Sequence, residues 1–182
     1  MDAIKQYSPF FIFLLKFFAV YVGLTLIYQG YLNTCDNLQH EVDGFTRSVA
    51  NQTKWFTDLL GYQTHTRLHP TQSSVMFLLD GHYISRVVEG CNAVSVMILF
   101  AAFVVAFKGS WKNTILFILA GTLVIHVLNV VRIGLLSMAL LKYPEHEHVL
   151  HGVIFPAVIY GVVFLLWIIW VNTFSIHGRK KV

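Results

Sequence analysis

The sequence predicts an all-α integral membrane protein with four transmembrane helices. Of its 182 residues, 56% are hydrophobic and only 12% are charged, and the mean hydropathy is +0.64. A soluble domain of this size carries more charge and less apolar surface. A helix needs about 20 apolar residues to cross the bilayer, and four stretches approach or exceed that length: residues 10–32, 91–107, 114–141 and 152–174. These features predict one membrane domain over residues 1–182.

The first stretch, residues 10–32, is expected to be a retained transmembrane helix and not a cleaved signal peptide. Its apolar run is longer than the core of a signal peptide, and no small-residue cleavage site follows it. The second stretch, residues 91–107, is the shortest of the four.

Basic residues predict the orientation of the spans. Cytoplasmic flanks carry an excess of lysine and arginine, and with four spans these residues fall on one side: Lys5, Lys108, Lys112, Arg179, Lys180 and Lys181. Both chain ends are therefore predicted to be cytoplasmic, and residues 33–90 extracytoplasmic. The net charge of +4 reflects this bias and not a nucleic-acid surface.

The extracytoplasmic segment predicts an amphipathic helix followed by a β-hairpin. Apolar residues recur at helical spacing between Leu38 and Leu60, and Gly61 is a plausible helix stop. Residues 75–79 and 82–88 flank Asp80-Gly81, a strong signal for a two-residue hairpin turn.

A thiol, a guanidinium and an imidazole are predicted to meet at the extracytoplasmic face of the membrane. Cys91 begins the second span at its outer end, and His151 lies at the outer junction of the last two spans. Arg132 lies about 14 Å of helix from the outer end of the third span. An arginine within a span is a functional-site hypothesis by default.

These residues carry a resemblance to a known family. The pattern of Glu89-x-Cys91 at a span start, Asn129-x-x-Arg132-Ile133 in the next span, and a histidine at the start of the last resembles the exosortase/archaeosortase family of membrane cysteine transpeptidases. The compact four-span form and His151-x-x-x-Phe155-Pro156 look most like the F-type exosortases of Bacteroidetes. The resemblance covers residues 87–170. One departure is Asn92-Ala93, where many members have a Ser-Gly pair after the cysteine.

The resemblance implies an enzyme of the bacterial inner membrane that needs no cofactor. It would cleave C-terminal sorting tails of exported proteins on the periplasmic face and pass the acyl group, through a thioester, to an amine or hydroxyl acceptor. Cys91 would be the nucleophile, His151 the proton carrier and Arg132 the stabiliser of the oxyanion. Asn129 and Glu89 would support them, with Glu89 pairing with Arg132 or Arg86.

Two points stay open at this stage. His148 with Gly152 also fits the His-x-x-x-Gly motif of many members, so it competes with His151. Cys35 lies on the same predicted side as Cys91, and an oxidising compartment permits a disulfide between them that would silence the nucleophile.

Two other functions compete with the transpeptidase. The outer histidines and carboxylates offer ligands that suit zinc or copper, so a metal-dependent membrane enzyme or metal-handling protein is one alternative. Its candidate ligands are Glu145, His146, Glu147, His148 and His151, with His65, His69 or His82. The other alternative is a non-catalytic scaffold of an envelope export complex. Small and polar residues suited to helix packing would fit any of the three functions; they are Gly121, Gly134, Ser137 and Gly161.

Overall fold

A computed structural model describes residues 2–35, 41–107 and 109–174 of the chain. It is mostly helical, with one small sheet. The principal helices are α1 (Asp2–Leu32), α2 (Gly44–Leu59), α3 (Val94–Ala106), α4 (Trp111–Lys142), the single turn α5 (Glu147–Val149) and α6 (Phe155–Ile169). The strands are β1 (Thr64–Leu68), β2 (Val75–Leu79) and β3 (His82–Val87).

Within the described residues, three helical segments are long and apolar enough to cross a membrane. They are Tyr7–Leu32, Trp111–Lys142 and Pro144–Phe174. The last runs through α5 and α6 and the 3₁₀ and π turns around them. The protein is therefore a multi-pass membrane protein.

The predicted second span is shorter than the sequence suggested. α3 has 13 residues, about 20 Å of helix, against about 30 Å of hydrocarbon. Ala93 adopts a left-handed conformation with φ +65°, so the helix cannot extend back through it to Cys91. Cys91 instead ends a 3₁₀ turn, Glu89–Cys91. A fourth complete span is not established by these lengths.

The predicted orientation stays a prediction. Lys108, Arg179, Lys180 and Lys181 lie outside the described residues, as does Leu38 of the predicted amphipathic helix.

The membrane helices pack around α3, which contacts α1, α4 and α6. Their shared core consists of Ala93, Phe100, Val104, Ile125, Val163 and Trp170. Gly121 allows α3 and α4 to approach closely, because a Cβ there would lie 2.3 Å from the ring of Phe100. Aromatic pairs also join the helices: Phe103 of α3 stacks on Trp167 of α6, with ring centroids 4.3 Å apart.

The segment between α1 and α3 folds as one helix against a three-stranded antiparallel sheet of order β1-β2-β3. Asp43 caps α2 by accepting a hydrogen bond of 2.9 Å from the backbone N–H of Thr46. The predicted hairpin is present: Leu79 pairs with His82, and Asp80 and Gly81 both have the positive φ that its tight turn needs.

The strand β1 was not predicted. Its sequence, Thr-His-Thr-Arg-Leu, has an apolar side chain only at the end, and it is held by contacts with α2. The hydroxyls of Thr57 and Thr64 lie 2.7 Å apart, and Asp58 accepts a hydrogen bond from the Thr64 backbone N–H. Burial raises the pKa of Asp58, but the hydrogen bonds from Lys54 and Thr64 outweigh it and hold the pKa below its ordinary value.

α4 joins the two halves of the molecule. It is 32 residues long, about 48 Å, so it exceeds the hydrocarbon thickness. Its first half packs on α3, and its second half packs on α2, where a Cβ at Gly134 would lie 2.6 Å from the ring of Phe56. The second core contains Val49, Val75, Val87, Val130 and Ile133, and Cys91 packs against it. Cys91 therefore lies at the edge of this second core, two residues before Ala93 of the first core.

Candidate active site

A cavity of about 480 Å³ lies between β3, the second half of α4 and the start of the last helical segment. Its lining includes Cys91, Arg132 and His151. The structure thus brings the three predicted catalytic side chains to one cavity, each from a different part of the chain.

Cys91 is positioned by the residue that follows it. Asn92 is only 2% exposed, and its amide nitrogen donates to the Tyr28 hydroxyl at 2.9 Å and to the Thr46 hydroxyl at 3.0 Å. Its side-chain oxygen accepts from the backbone N–H of Val94 at 2.9 Å. Asn92 therefore ties the turn that carries Cys91 to α1, α2 and α3.

This role of Asn92 was not predicted from the sequence. Its partners lie 46 and 64 residues away along the chain. The only usable signal was an amide side chain next to a thiol in an apolar setting.

Asn129 connects the thiol segment to the arginine. Its side chain is fully buried. The amide nitrogen donates to the backbone carbonyl of Cys91 at 2.8 Å, and the amide oxygen accepts from Arg132 Nη1 at 3.3 Å. One side chain on α4 thus holds both the Cys91 backbone and the Arg132 guanidinium.

Arg132 keeps a donor without a partner. Its Nε is buried and makes no hydrogen bond among the described residues. Leaving a buried donor unpaired costs about 1–3 kcal/mol. A carbonyl oxygen or oxyanion that entered the cavity would satisfy it.

Of the two competing histidines, His151 lines the cavity and His148 does not. His151 lies in the π turn Leu150–Ile154. Pro156 follows that turn and has no N–H to donate to the carbonyl of Gly152, so a regular α-helical hydrogen bond cannot form there. The backbone N–H of Phe155 bonds to the Leu150 carbonyl, five residues back, which closes the π turn that contains His151. Glu147, on α5, also lines the cavity.

Glu89 and Cys35 lie elsewhere. Both line a separate cavity of about 220 Å³. Glu89 forms no ion pair with Arg132 or Arg86 in the described structure, and Arg86 instead donates to the side-chain oxygen of Gln72. The expected pairing of Glu89 is therefore wrong: the 3₁₀ turn separates it from the cavity that Cys91 lines.

Both cysteines are free thiols in the structure, and both are half-buried. The Cys35–Cys91 disulfide considered from the sequence is not formed. Each thiol lines its own cavity.

The outer histidines do not assemble a metal site in the described residues, where no three His, Cys, Asp or Glu side chains are grouped to hold an ion. His146 instead lies 3.3 Å from the carboxylate of its neighbour Glu145.

Comparison with known families gives one match. The model of the family described as Transmembrane exosortase (Exosortase_EpsH) matches residues 9–171. The chain belongs to the transmembrane exosortase family. Neither the curated proteins nor the solved structures give a match.

The family match extends further than the sequence resemblance did. It begins at residue 9, so α1 belongs to the exosortase region, which agrees with the contact between α1 and Asn92. The finer resemblance to the F-type exosortases stays a prediction. Exosortases are membrane cysteine transpeptidases that act on exported proteins with sorting signals, and membership supports an enzyme of that kind.

The departure of this exosortase from the Ser-Gly pair has a structural meaning at Ala93. The residue adopts the left-handed conformation, which costs a side-chain-bearing residue about 1–2 kcal/mol and glycine little. A glycine at this position in other members fits the same backbone turn after the cysteine.

Proposed function

We propose that this exosortase is a cysteine transpeptidase that cleaves the C-terminal sorting tails of exported proteins and transfers the upstream part through a thioester on Cys91. The observation that carries the proposal is the shared cavity of Cys91, Arg132 and His151. These residues come from a 3₁₀ turn, a long helix and a π turn, which are separate parts of the chain.

The chemistry assigns one role to each side chain. His151 takes the proton of the Cys91 thiol, because a thiol is mostly protonated at neutral pH and only the thiolate attacks well. The sulfur forms a bond with the scissile carbonyl carbon, and the carbonyl electrons move to its oxygen. When the tetrahedral intermediate collapses, the C–N bond breaks and His151 returns the proton to the leaving amine.

The second half of the reaction reverses these steps. An amine or hydroxyl acceptor attacks the thioester and loses its proton to His151. The carbon–sulfur bond then breaks, and Cys91 takes the proton back. No cofactor takes part in this scheme.

Arg132 is always charged, so it cannot serve as the base. Its unpaired Nε donor supports a role in binding the oxyanion of the tetrahedral intermediate, where a single donor contributes about 100- to 1000-fold to kcat. Asn129 is a positioning residue, since it holds Arg132 and the Cys91 backbone but does not line the cavity.

We further propose that the site faces the periplasm, in the bacterial inner membrane. α2 and the sheet pack on the half of α4 that carries Arg132, so the site lies at the end of the bundle where the extramembrane segment folds. α4 carries one lysine at each end, Lys112 and Lys142, so the proposed orientation rests on the excess of basic residues over all the predicted cytoplasmic flanks.

The test is the fate of a tail in cells. An exported protein with a C-terminal transmembrane tail and basic end is co-expressed with the wild type, with Cys91→Ala and with the matched control Cys35→Ala, and its intact mass is measured. We expect the tail to be removed by the wild type and by Cys35→Ala, and retained with Cys91→Ala. Equal processing by all three would refute the nucleophile and favour a non-catalytic scaffold.

A further inference from the structure

The cavity runs along the edge of a strand. β3 is an outer strand of the sheet, and in the described residues it pairs only with β2. Residues 83–88 all line the cavity. Because successive side chains of a strand point to opposite faces, a cavity under one face would meet every second residue. Ile84 is the extra residue of a β-bulge in the pairing with β2, and it interrupts this alternation at one place. The lining nevertheless continues without a gap from Ser85 to Val88, as expected where a cavity follows the edge of a strand.

The opposite wall is one stripe of α4. The lining residues Arg132, Leu136 and Leu140 are spaced by four, so they lie on one helix face over about 12 Å. A second cavity of about 340 Å³ shares Tyr83, Ile84, Leu140 and Glu147 with the first. The two cavities together form a groove beside β3 and α4. The hydroxyls of Ser85 and Ser137 lie 3.3 Å apart between these two walls, so a bound strand has to lie on the open side of that contact.

The groove ends at the thiol. β3 ends at Val87, and the chain turns at once into Cys91, whose backbone N–H donates to the Val88 carbonyl at 2.8 Å. A peptide that lay extended along β3 would therefore run directly past the Cys91 sulfur.

We infer that the segment of the exported protein next to its scissile bond binds by strand addition, as a fourth strand on the free edge of β3. This inference rests on the proposed function. In such binding the main-chain hydrogen bonds supply affinity that is independent of sequence, and alternate side chains enter pockets. Here Ile84 and Leu136 provide apolar contacts, and Arg132 and His151 reach the peptide carbonyl at the thiol end.

A second copy of the chain is a poorer occupant of this edge. Arg86 is exposed on β3, and charged side chains on an outer strand oppose edge-to-edge pairing between copies. Two antiparallel β3 strands would bring two such cations together. The same charge does not repel a peptide without basic residues.

The sheet itself offers a matched control. Tyr83 of β3 and His65 of β1 both pair with Leu78, and Arg86 and Arg67 both pair with Met76. These four side chains are exposed and lie on one face of the sheet, two at each edge. Cysteines at the β1 positions therefore match those on β3 in depth and direction, but not in contact with the groove.

The experiment is disulfide cross-linking in membranes. Tyr83→Cys, Arg86→Cys, His65→Cys and Arg67→Cys are each made with Cys91→Ala and Cys35→Ser, so that each enzyme has one thiol and leaves the tail uncleaved. Each is co-expressed with a tailed exported protein that the wild type cleaves, carrying single cysteines at successive positions around its cleavage site. Labelling with a maleimide corrects the yield for the accessibility of each thiol.

Strand addition predicts a register. Tyr83→Cys and Arg86→Cys should link to different tail residues, two or three apart, and each link should be lost when the tail cysteine moves by one residue. His65→Cys and Arg67→Cys should not link. The inference is overturned if both β3 variants link to the same tail residue, if the β1 variants link equally, or if β3 thiols link between copies of the enzyme. If no tail is cleaved by the wild type, or if Cys91→Ala cleaves it, the proposed function fails first and the inference with it.

Discussion

Asn129 provides the sharpest test of how the cavity is built. Its amide donates to the Cys91 carbonyl at 2.8 Å and accepts from Arg132 at 3.3 Å. Asn129→Leu keeps most of the side-chain volume and removes both hydrogen bonds. We expect a loss of about 3 kcal/mol, with about 1 from the neutral bond and about 2 from the bond to the charged guanidinium. For a chain of this size the loss corresponds to a fall in Tm of about 6–12 °C.

Asn129→Asp separates the two contacts. A carboxylate still accepts from Arg132, but it has no N–H to donate to the Cys91 carbonyl. We expect a loss of about 1–3 kcal/mol in stability, because the partly buried Cys91 carbonyl loses its donor and faces a carboxylate oxygen while the contact with Arg132 is kept. Tail cleavage should fall by up to about 100-fold, because the nucleophile is no longer held in place. The loss of activity should therefore exceed what the loss of stability explains.

The assays are thermal unfolding in detergent and the rate of tail removal followed by intact mass. Asn113→Leu is the matched control, since Asn113 lies on the first turn of α4 and does not line the cavity. It should keep both Tm and activity. If Asn129→Leu behaves like the control, or if Asn129→Asp cleaves at the wild-type rate, the positioning role of Asn129 is refuted.

Three further outcomes are expected. Gly121→Ala should cost about 1–3 kcal/mol by overpacking against α3, whereas Gly23→Ala, whose Cβ meets nothing within 4 Å, should leave Tm nearly unchanged; equal melting temperatures would contradict the packing. Cys35→Ser should process the tail fully and migrate alike with and without reductant, and loss of activity would assign Cys35 a role in the site. Hydrogen bonds from Lys54 and Thr64 outweigh burial and hold the pKa of Asp58 below its ordinary value. The stability that the carboxylate contributes is therefore present above the ordinary pKa and is lost as pH falls through the lowered pKa. Asp58→Asn should have a lower Tm than the wild type at pH 7, and the two Tm values should become equal under strong acid. A Tm difference that does not change with pH would show that the ionised carboxylate is not its cause.

The features predicted well from the sequence were those with a local or compositional cause. Asp80-Gly81 specifies its hairpin within a few residues. The family match over residues 9–171 confirms the exosortase resemblance, which rested on the order and spacing of Cys91, Arg132 and His151. Cys91, Arg132 and His151 were expected to lie close together, and they line one cavity; the membrane face that the charge bias assigns to them stays a prediction.

The features that were missed depend on contacts distant in sequence or on backbone geometry. β1 is polar, and it is held by its pairing with β2 and by its hydrogen bonds with α2. The left-handed Ala93 shortens α3, although the sequence there remains mostly apolar. Asn92 finds its partners on α1 and α2, and no periodicity in the chain records such a pairing.

The most direct test of the central claim is to trap the acyl-enzyme. Wild type and Cys91→Ala are incubated in membranes with a tail-bearing exported protein, with and without neutral hydroxylamine, and both enzyme and product are measured by mass. We expect an adduct on the Cys91 peptide of the wild type that hydroxylamine removes, with release of the exported protein as its hydroxamate. Tail removal without any adduct on Cys91, or hydroxamate formed by Cys91→Ala, would contradict a thioester made by this thiol.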